Sequence, residues 1–431
     1  MRNTVFTICT KNYIGLCDVL VKSIKKYNDD IDCYIFVADE MESMSNVLDY
    51  GNILMAKEVL DIELRKWYDM AFKYELTEFC TAIKPFCFQY LFRKINSQKV
   101  IYFDPDIFVV NSLNSIWELL DTKDVVLTPH VTTLQINYTG DLNERNLLHS
   151  GLYNCGFIAL KNTQLGLNVV DWWGNRLMDF CYRSESESMF TDQKWIDFIP
   201  SLLPQEKYEI SFNLGYNLAP WNFYEREVVK QGDDFFIKKR LGGNNKIDTL
   251  TFIHFSGYNY KELLNNNIVQ NNITNLQVRD DLVELFNDYS TAILNSSFDK
   301  YINYTYTYNY FENGKSISSI HRRIYRRMLY DHVQYSESPF KTTRGSFYDV
   351  CEKHKMILST NMDSLAKKEA ADIRKNVGKI YVLNILFKLL YKLLGAQKYF
   401  MFVRLLRMYG KFENHVFLLN NEYMKKVSYF K

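Results

Sequence analysis

Up to about Tyr260 the chain alternates short unbroken apolar runs with longer stretches of helical period. Thr4-Val5-Phe6-Thr7-Ile8-Cys9-Thr10 reads as a buried strand, and Leu16, Val19, Leu20 and Ile24 then share one face of a helix. Cys33-Tyr34-Ile35-Phe36-Val37 predicts the next strand, ending at Ala38-Asp39. Strand, helix, strand is the opening of a parallel α/β sheet. Ile83 to Lys94 predicts a helix with Pro85 in its first turn, where a missing N–H costs nothing. Further strands are predicted at 99–103, 124–127 and 155–160, with a late one over 249–255. Helices are predicted over 167–182, 192–199 and 278–294.

Charge changes this picture at one end. The net charge of +2 argues against a nucleic-acid binder, but from His321 onward there are 22 Lys/Arg against 9 Asp/Glu. A mildly acidic body with a basic tail suggests that the tail meets an anionic partner, and Arg322, Arg323, Arg326 and Arg327 form its densest cluster. The eight Cys are scattered without a C-x-x-C pair, which fits a reducing cytoplasm. The N-terminus lacks a signal-peptide pattern, and no apolar run reaches membrane-spanning length.

The chemistry concentrates at Asp104-Pro105-Asp106, which ends the strand Lys99-Val100-Ile101-Tyr102-Phe103 and precedes Ile107-Phe108-Val109-Val110. Two carboxylates one residue apart, at the carboxyl end of a strand, point into the crevice where α/β sheets bind ligands. Set between apolar runs, they are costly to bury without a cation. A strand-ending turn is the plainer account, and Asp30-Ile31-Asp32 shows that the triplet alone is weak. His254 ends the late strand and is followed by Ser256 and Gly257. A lone histidine there is more often a core residue than a metal ligand, and its interest lies in combination with the Asp pair.

Taken together, six stretches in order make the sequence resemble the GT-A glycosyltransferases, most of all those of family 8 and related bacterial polysaccharide enzymes. They are Phe6–Thr10, Lys84-Pro85, Val100–Asp106, Asn154-Cys155-Gly156-Phe157, Asp192-Gln193 and His254-x-x-Gly257. The resemblance implies an α/β GT-A (Rossmann-like nucleotide-diphospho-sugar transferase) domain with a helical C-terminal extension. It implies hexosyl transfer from a nucleotide sugar, a UDP-sugar above others, with Mn2+ or Mg2+ held by Asp104, Asp106 and His254. Thr10, Tyr13, Asp39, Lys84, Asn154, Gly156, Gly257 and Lys261 would line the donor. Family 8 continues from its His and Gly to Lys-Pro-Trp, whereas here Lys261 follows one residue late with neither Pro nor Trp. Asp192 would be a general base or a hydroxyl ligand, with an N-cap as the structural alternative. Gln193, Asn217 and Trp221 would face the acceptor, a glycan, lipid-linked or protein molecule. A catalytically silent sugar-nucleotide-binding scaffold would share the fold. A nucleotidyltransferase would need a glycine-rich phosphate loop, which Thr10-Lys11-Asn12-Tyr13 is not.

These readings divide the chain into a catalytic domain over 1–265, an extension over 266–345 and a basic helical region over 346–431. In the last, Asn384, Lys388 and Lys392 form one narrow polar stripe among Ile380, Leu383, Leu386, Phe387, Leu390 and Leu394. A helix this apolar is expected to be buried, by packing or self-association, or to dock on an anionic membrane face. The expected location is cytoplasmic, with peripheral attachment at the inner face of the membrane as the extension of that idea.

Overall fold

The computed structural model describes residues 3–41, 52–240, 247–273, 279–358 and 377–425. The chain forms two compact units, Met1–Ile62 with Thr77–Tyr306, and Glu63–Leu76 with Thr307–Lys431.

In the first unit, strands β1 (Asn3–Cys9), β2 (Asp32–Val37), β3 (Asn52–Met55), β4 (Lys99–Phe103), β5 (Ile107–Val109), β6 (Val125–Leu127) and β7 (Phe157–Lys161) are followed by a small β8–β9 hairpin (Arg183–Ser184, Met189–Phe190). Strands β10 (Tyr208–Ile210), β11 (Arg226–Gln231), β12 (Asp234–Lys239), β13 (Ile247–Thr249) and β14 (Phe252–His254) complete the set. The main sheet has the order β10-β6-β7-β4-β1-β2-β3. It is parallel except at β7, which runs antiparallel to β4 and β6. Its apolar runs are buried, as a sheet covered on both faces requires. The Ile14–Tyr27 helix covers it with Ile14, Cys17, Leu20 and Ile24.

Several boundaries differ from expectation. The late strand is two, β13 and β14, because the chain changes sheets at Leu250-Thr251: β13 pairs with β12, and β14 with β5. The helix expected over 192–199 is two single turns, Gln193–Ile196 and Ile199–Leu202. The charged helix is Asp280–Leu294, and Val278 lies outside the described residues. That helix is not part of a linker. Leu282, Leu285, Phe286, Tyr289 and Ile293 join Ile253, Phe255 and Tyr258 in one core, so the first unit closes at Tyr306 rather than near 265. Phe255 stacks on Tyr289 at 3.9 Å and 6°.

The second unit is built on an aromatic core in which Phe72 meets Phe311, Tyr325 and Phe347. The arginine cluster is structural rather than a free basic surface. The Arg322 guanidinium donates to the carbonyls of Phe72 (2.8 Å), Tyr74 (2.7 Å) and Tyr308 (2.9 Å). Arg326 pairs with Glu413, and Arg327 with Asp331 at 2.6 Å. Arg322, Arg326 and Arg327 are buried against these carbonyls and carboxylates. The Val377–Tyr409 helices, by contrast, hold no buried residue: they break at Gly395 (φ 70°), and their side chains are exposed or at most half-buried. The expectation that their apolar circumference would be packed away is therefore not met among the described residues. No helix of the described residues is long and apolar enough to cross a membrane. All eight cysteines are free thiols.

Candidate active site

Strand β4 delivers Asp104 and Asp106 to the carboxyl edge of the sheet. The turn is closed by the Ile107 N–H donating to the Asp104 carbonyl (3.1 Å), while the Asp104 N–H donates to Gly156 O (2.8 Å). Strand β5 then leaves the turn and pairs antiparallel with β14 in the register His254↔Ile107. The Phe255 N–H donates to the Asp106 carbonyl (2.9 Å). A ladder between segments about 150 residues apart in sequence thus sets the histidine beside the acid pair. His254 Nε2 lies 3.1 Å from Asp106 Oδ1 and 3.8 Å from Asp104 Oδ2. One ligand atom from each of the three residues lies within 4.8 Å of the others.

Two hard carboxylate oxygens and one imidazole nitrogen suit a divalent cation. The electrostatics agree with this fit. Burial pushes the Asp104 carboxyl above its usual range, against the opposing charges of Lys84 and His254. Burial disfavours the His254 imidazolium, but the Asp106 carboxylate, helped by Asp104, outweighs it and raises the imidazole overall. The site thus favours positive charge between its three side chains. Gly156 has to be glycine: a Cβ there would meet His254 Cε1 at 2.4 Å and Asn154 Oδ1 at 2.8 Å.

Behind the acid pair is a buried polar layer. Tyr102 donates to Asp104 Oδ1 at 2.5 Å, and Lys84 Nζ sits 4.1 Å above the Tyr102 ring. Lys84 donates to Asp192 Oδ2 (2.6 Å) and Cys155 O (2.8 Å). Asp192 makes no cap to the turn it precedes; its other oxygen accepts from the Thr191 hydroxyl at 3.1 Å. Gln193 braces the neighbouring turn, accepting from the Cys155 N–H (2.9 Å) and donating to Ser150 O (2.8 Å). Asn217 is fully buried and donates to Thr128 Oγ1 (2.9 Å) and Asn154 Oδ1 (3.1 Å). It supports Asn154 and does not line the pocket described next.

A pocket of about 750 Å3 opens here, lined among others by Asn154, Gln193 and Trp221. Trp221 sets its ring edge-on to His254 at 5.2 Å. His130, also in the lining, is packed against Trp221 at 5.3 Å, and burial pushes its imidazole down to about 4. At the ends of β1 and β2, Thr10 and Asp39 are buried. Thr10 donates to Asn12 Oδ1 (2.5 Å), and Asp39 Oδ1 accepts the Glu40 N–H (2.8 Å). Tyr13 is half-buried and meets Tyr260 edge-on at 5.9 Å. Gly257 adopts φ 87°, and Lys261 is exposed on the single turn Tyr260–Leu263. Sequence reasoning missed Tyr102 as a support and His130 as a lining residue. Tyr102 lies two positions before Asp104 on one strand face, which is a legible signal. His130 sits outside the predicted elements and gave none.

Residues 4–166 match the family described as Glycosyl transferase family 8. Bacillus subtilis (strain 168) has two similar proteins, both described as uncharacterized. YfnF is 25% identical over 275 residues, 60% of this chain and 82% of YfnF. YfnD is 22% identical over 258 residues, 58% of this chain and 76% of YfnD. Among solved structures, the galactosyltransferase LgtC with donor and acceptor sugar analogs is 17% identical, with TM-score 0.34 over 51% of this chain and 76% of LgtC. The glycosyltransferase GlyE of Streptococcus pneumoniae TIGR4 is 16% identical, with TM-score 0.36 over 72% of this chain and 66% of GlyE. With the sheet order and the family match together, the class is a glycosyltransferase of the GT-A fold. Within that class the likeness to family 8 lies over residues 4–166.

Proposed function

We propose that this glycosyltransferase takes a sugar from a nucleotide-diphosphate sugar, foremost a UDP-sugar, and passes it to a glycan, glycolipid or glycoprotein acceptor in bacterial polysaccharide or glycoconjugate assembly. The observation that carries the reading is the convergence of Asp104, Asp106 and His254 at the sheet edge. These three would hold Mn2+ or Mg2+, which when bound would neutralise the donor diphosphate. Tyr102 fixes the Asp104 carboxylate, and the Lys84–Asp192 pair stiffens the wall behind it. With both its oxygens engaged, Asp192 is better suited to positioning than to proton transfer. Thr10 and Asp39 follow the carboxyl ends of β1 and β2, and Tyr13 and Gly257 lie on the segments after β1 and β14, where a nucleoside and diphosphate would lie.

The test is a thermal-shift titration with UDP and UDP-sugars, with and without Mn2+. Metal-dependent stabilisation is expected for the parent and for Asp30→Asn, and its loss for Asp106→Asn. Stabilisation without any release of UDP in the presence of an acceptor panel would favour a silent scaffold. Full activity in Asp106→Asn would refute the metal assignment.

The exposed tail supports a location for this chemistry. Between Val377 and Tyr409 there are six Lys/Arg and no Asp/Glu, and Leu383, Leu386, Leu393, Phe400, Met401 and Leu405 are each more than half exposed. Apolar helices bearing only positive charge complement an anionic membrane face. Sedimentation of the full chain with phosphatidylglycerol vesicles is expected, and weaker sedimentation with phosphatidylcholine or after K388E/K392E/R404E/R407E. Equal partition in all arms, or a stable dimer by analytical ultracentrifugation with no lipid binding, would overturn the membrane reading.

A further inference from the structure

The pocket beside the proposed donor site holds three donor side chains without an acceptor or carboxylate partner among the described residues. Trp221 is 5% exposed and lines it, yet its indole N–H has no partner among the described residues. A buried donor left unmet is costly, so such a group is usually matched by what binds. His130 stands next to it, held neutral by burial. At the outer wall are Arg145, on the Glu144–Ser150 helix, and Arg183, on β8. The Arg183 guanidinium lies 5.2 Å above the Phe190 ring, which restricts where it can point.

Neither arginine makes an ion pair among the described residues. Arg93, Arg226, Arg240 and Arg279 of the same unit each have a carboxylate partner within 4.0 Å. Glu185 is the one carboxylate in the lining, and it pairs with neither arginine. A solvated surface arginine needs no partner. Two in one concave wall, with a buried orphan donor at its base, make a receptor for negatively charged oxygen.

We propose that the acceptor carries an anionic group, a phosphoryl or carboxyl, that Arg145 and Arg183 bind while Trp221 donates to an oxygen of the same sugar. The proposal names the acceptor class for the transfer proposed above and rests on that reading. It selects against neutral glycans through the two arginines, and leaves Glu185 to accept from a sugar hydroxyl.

The test uses the full chain in EDTA, so that the proposed donor metal plays no part. Binding of glucose 6-phosphate, glucuronate and glucose is measured by calorimetric titration. At least one anionic sugar is expected to bind tenfold or more tightly than glucose, and which of the two does so separates phosphoryl from carboxyl recognition. R145Q/R183Q should reduce that sugar to the affinity of glucose without moving the thermal midpoint. R145K/R183K should retain part of the preference, and Asp30→Asn all of it. Equal binding of the three sugars, or an unchanged preference in R145Q/R183Q, would overturn the proposal. Failure of Mn2+-dependent UDP binding would instead count against the donor reading and leave this result standing.

Discussion

Lys84 Nζ lies 2.6 Å from Asp192 Oδ2, and the two side chains are 1% and 3% exposed. This pair links the helix before the strand that delivers Asp104 and Asp106 to the turn that carries Gln193. Removing one member of a buried pair strands the other charge, which costs about 3–5 kcal/mol. Lys84→Met is therefore expected to lower stability by about that amount in urea unfolding, and K84M/D192L to recover much of the loss. The double variant should still transfer sugar poorly, because Cys155 O and the Asp104 environment lose the ammonium. Lys84→Met with parental stability would mean that the ion pair does not brace the site.

Tyr102 offers a gentler perturbation. Its hydroxyl donates to Asp104 Oδ1 at 2.5 Å, fixing one oxygen so that the other faces His254. Partners of metal ligands are worth about 10–100-fold in metal affinity. Tyr102→Phe should weaken Mn2+ binding by about tenfold or more while the circular dichroism spectrum stays that of the parent. Unchanged Mn2+ affinity by competition with a fluorescent chelator would remove Tyr102 from the site.

Gly156 is tested by adding a single methyl. The Cβ would intrude on His254 and Asn154 at distances no side chain tolerates. Gly156→Ala is expected to cost about 1–3 kcal/mol, the usual range for overpacking, and to turn His254 away from Asp106. The readout is loss of the Mn2+-dependent thermal shift with UDP. Retention of the full shift would show that His254 is not needed where β14 puts it.

The sequence carried most of the sheet and nearly all of the acid–acid–histidine cluster. Continuous apolar runs marked β1, β2 and β4 because both faces of those strands are buried, so pattern and burial coincide. Asp104 and Asp106 could be placed because β4 is a local signal. The geometry that joins them to His254 is not local: it depends on the β5–β14 register, which no window of sequence contains. The same limit explains the misread arginines. Arg322 looked like part of a basic surface, yet its partners are backbone carbonyls of residues 72 and 74. The tail failed in the opposite sense. Its composition demands burial, and none of its described residues is buried.

His130 gives the fold a pH dependence whose sign can be worked out. Its imidazole is pushed down to about 4, mainly by burial, from an ordinary value of 6.5. Below 6.5 the unfolded chain takes up a proton that the folded chain refuses until the pH nears 4. This contribution to stability is therefore complete above pH 6.5, is lost as the pH falls through that window, and is gone below it. Between pH 7.5 and 5.5 the loss amounts to about 1 kcal/mol. His130→Asn should be less stable than the parent at pH 7.5, and the gap should narrow by about 1 kcal/mol at pH 5.5. Urea unfolding of both proteins at the two pH values measures it, and comparing the two cancels the other titrating groups. A gap that stays constant or widens on acidification would show that His130 takes up its proton as readily folded as unfolded, and that the wall beside Trp221 is wetter than its burial implies.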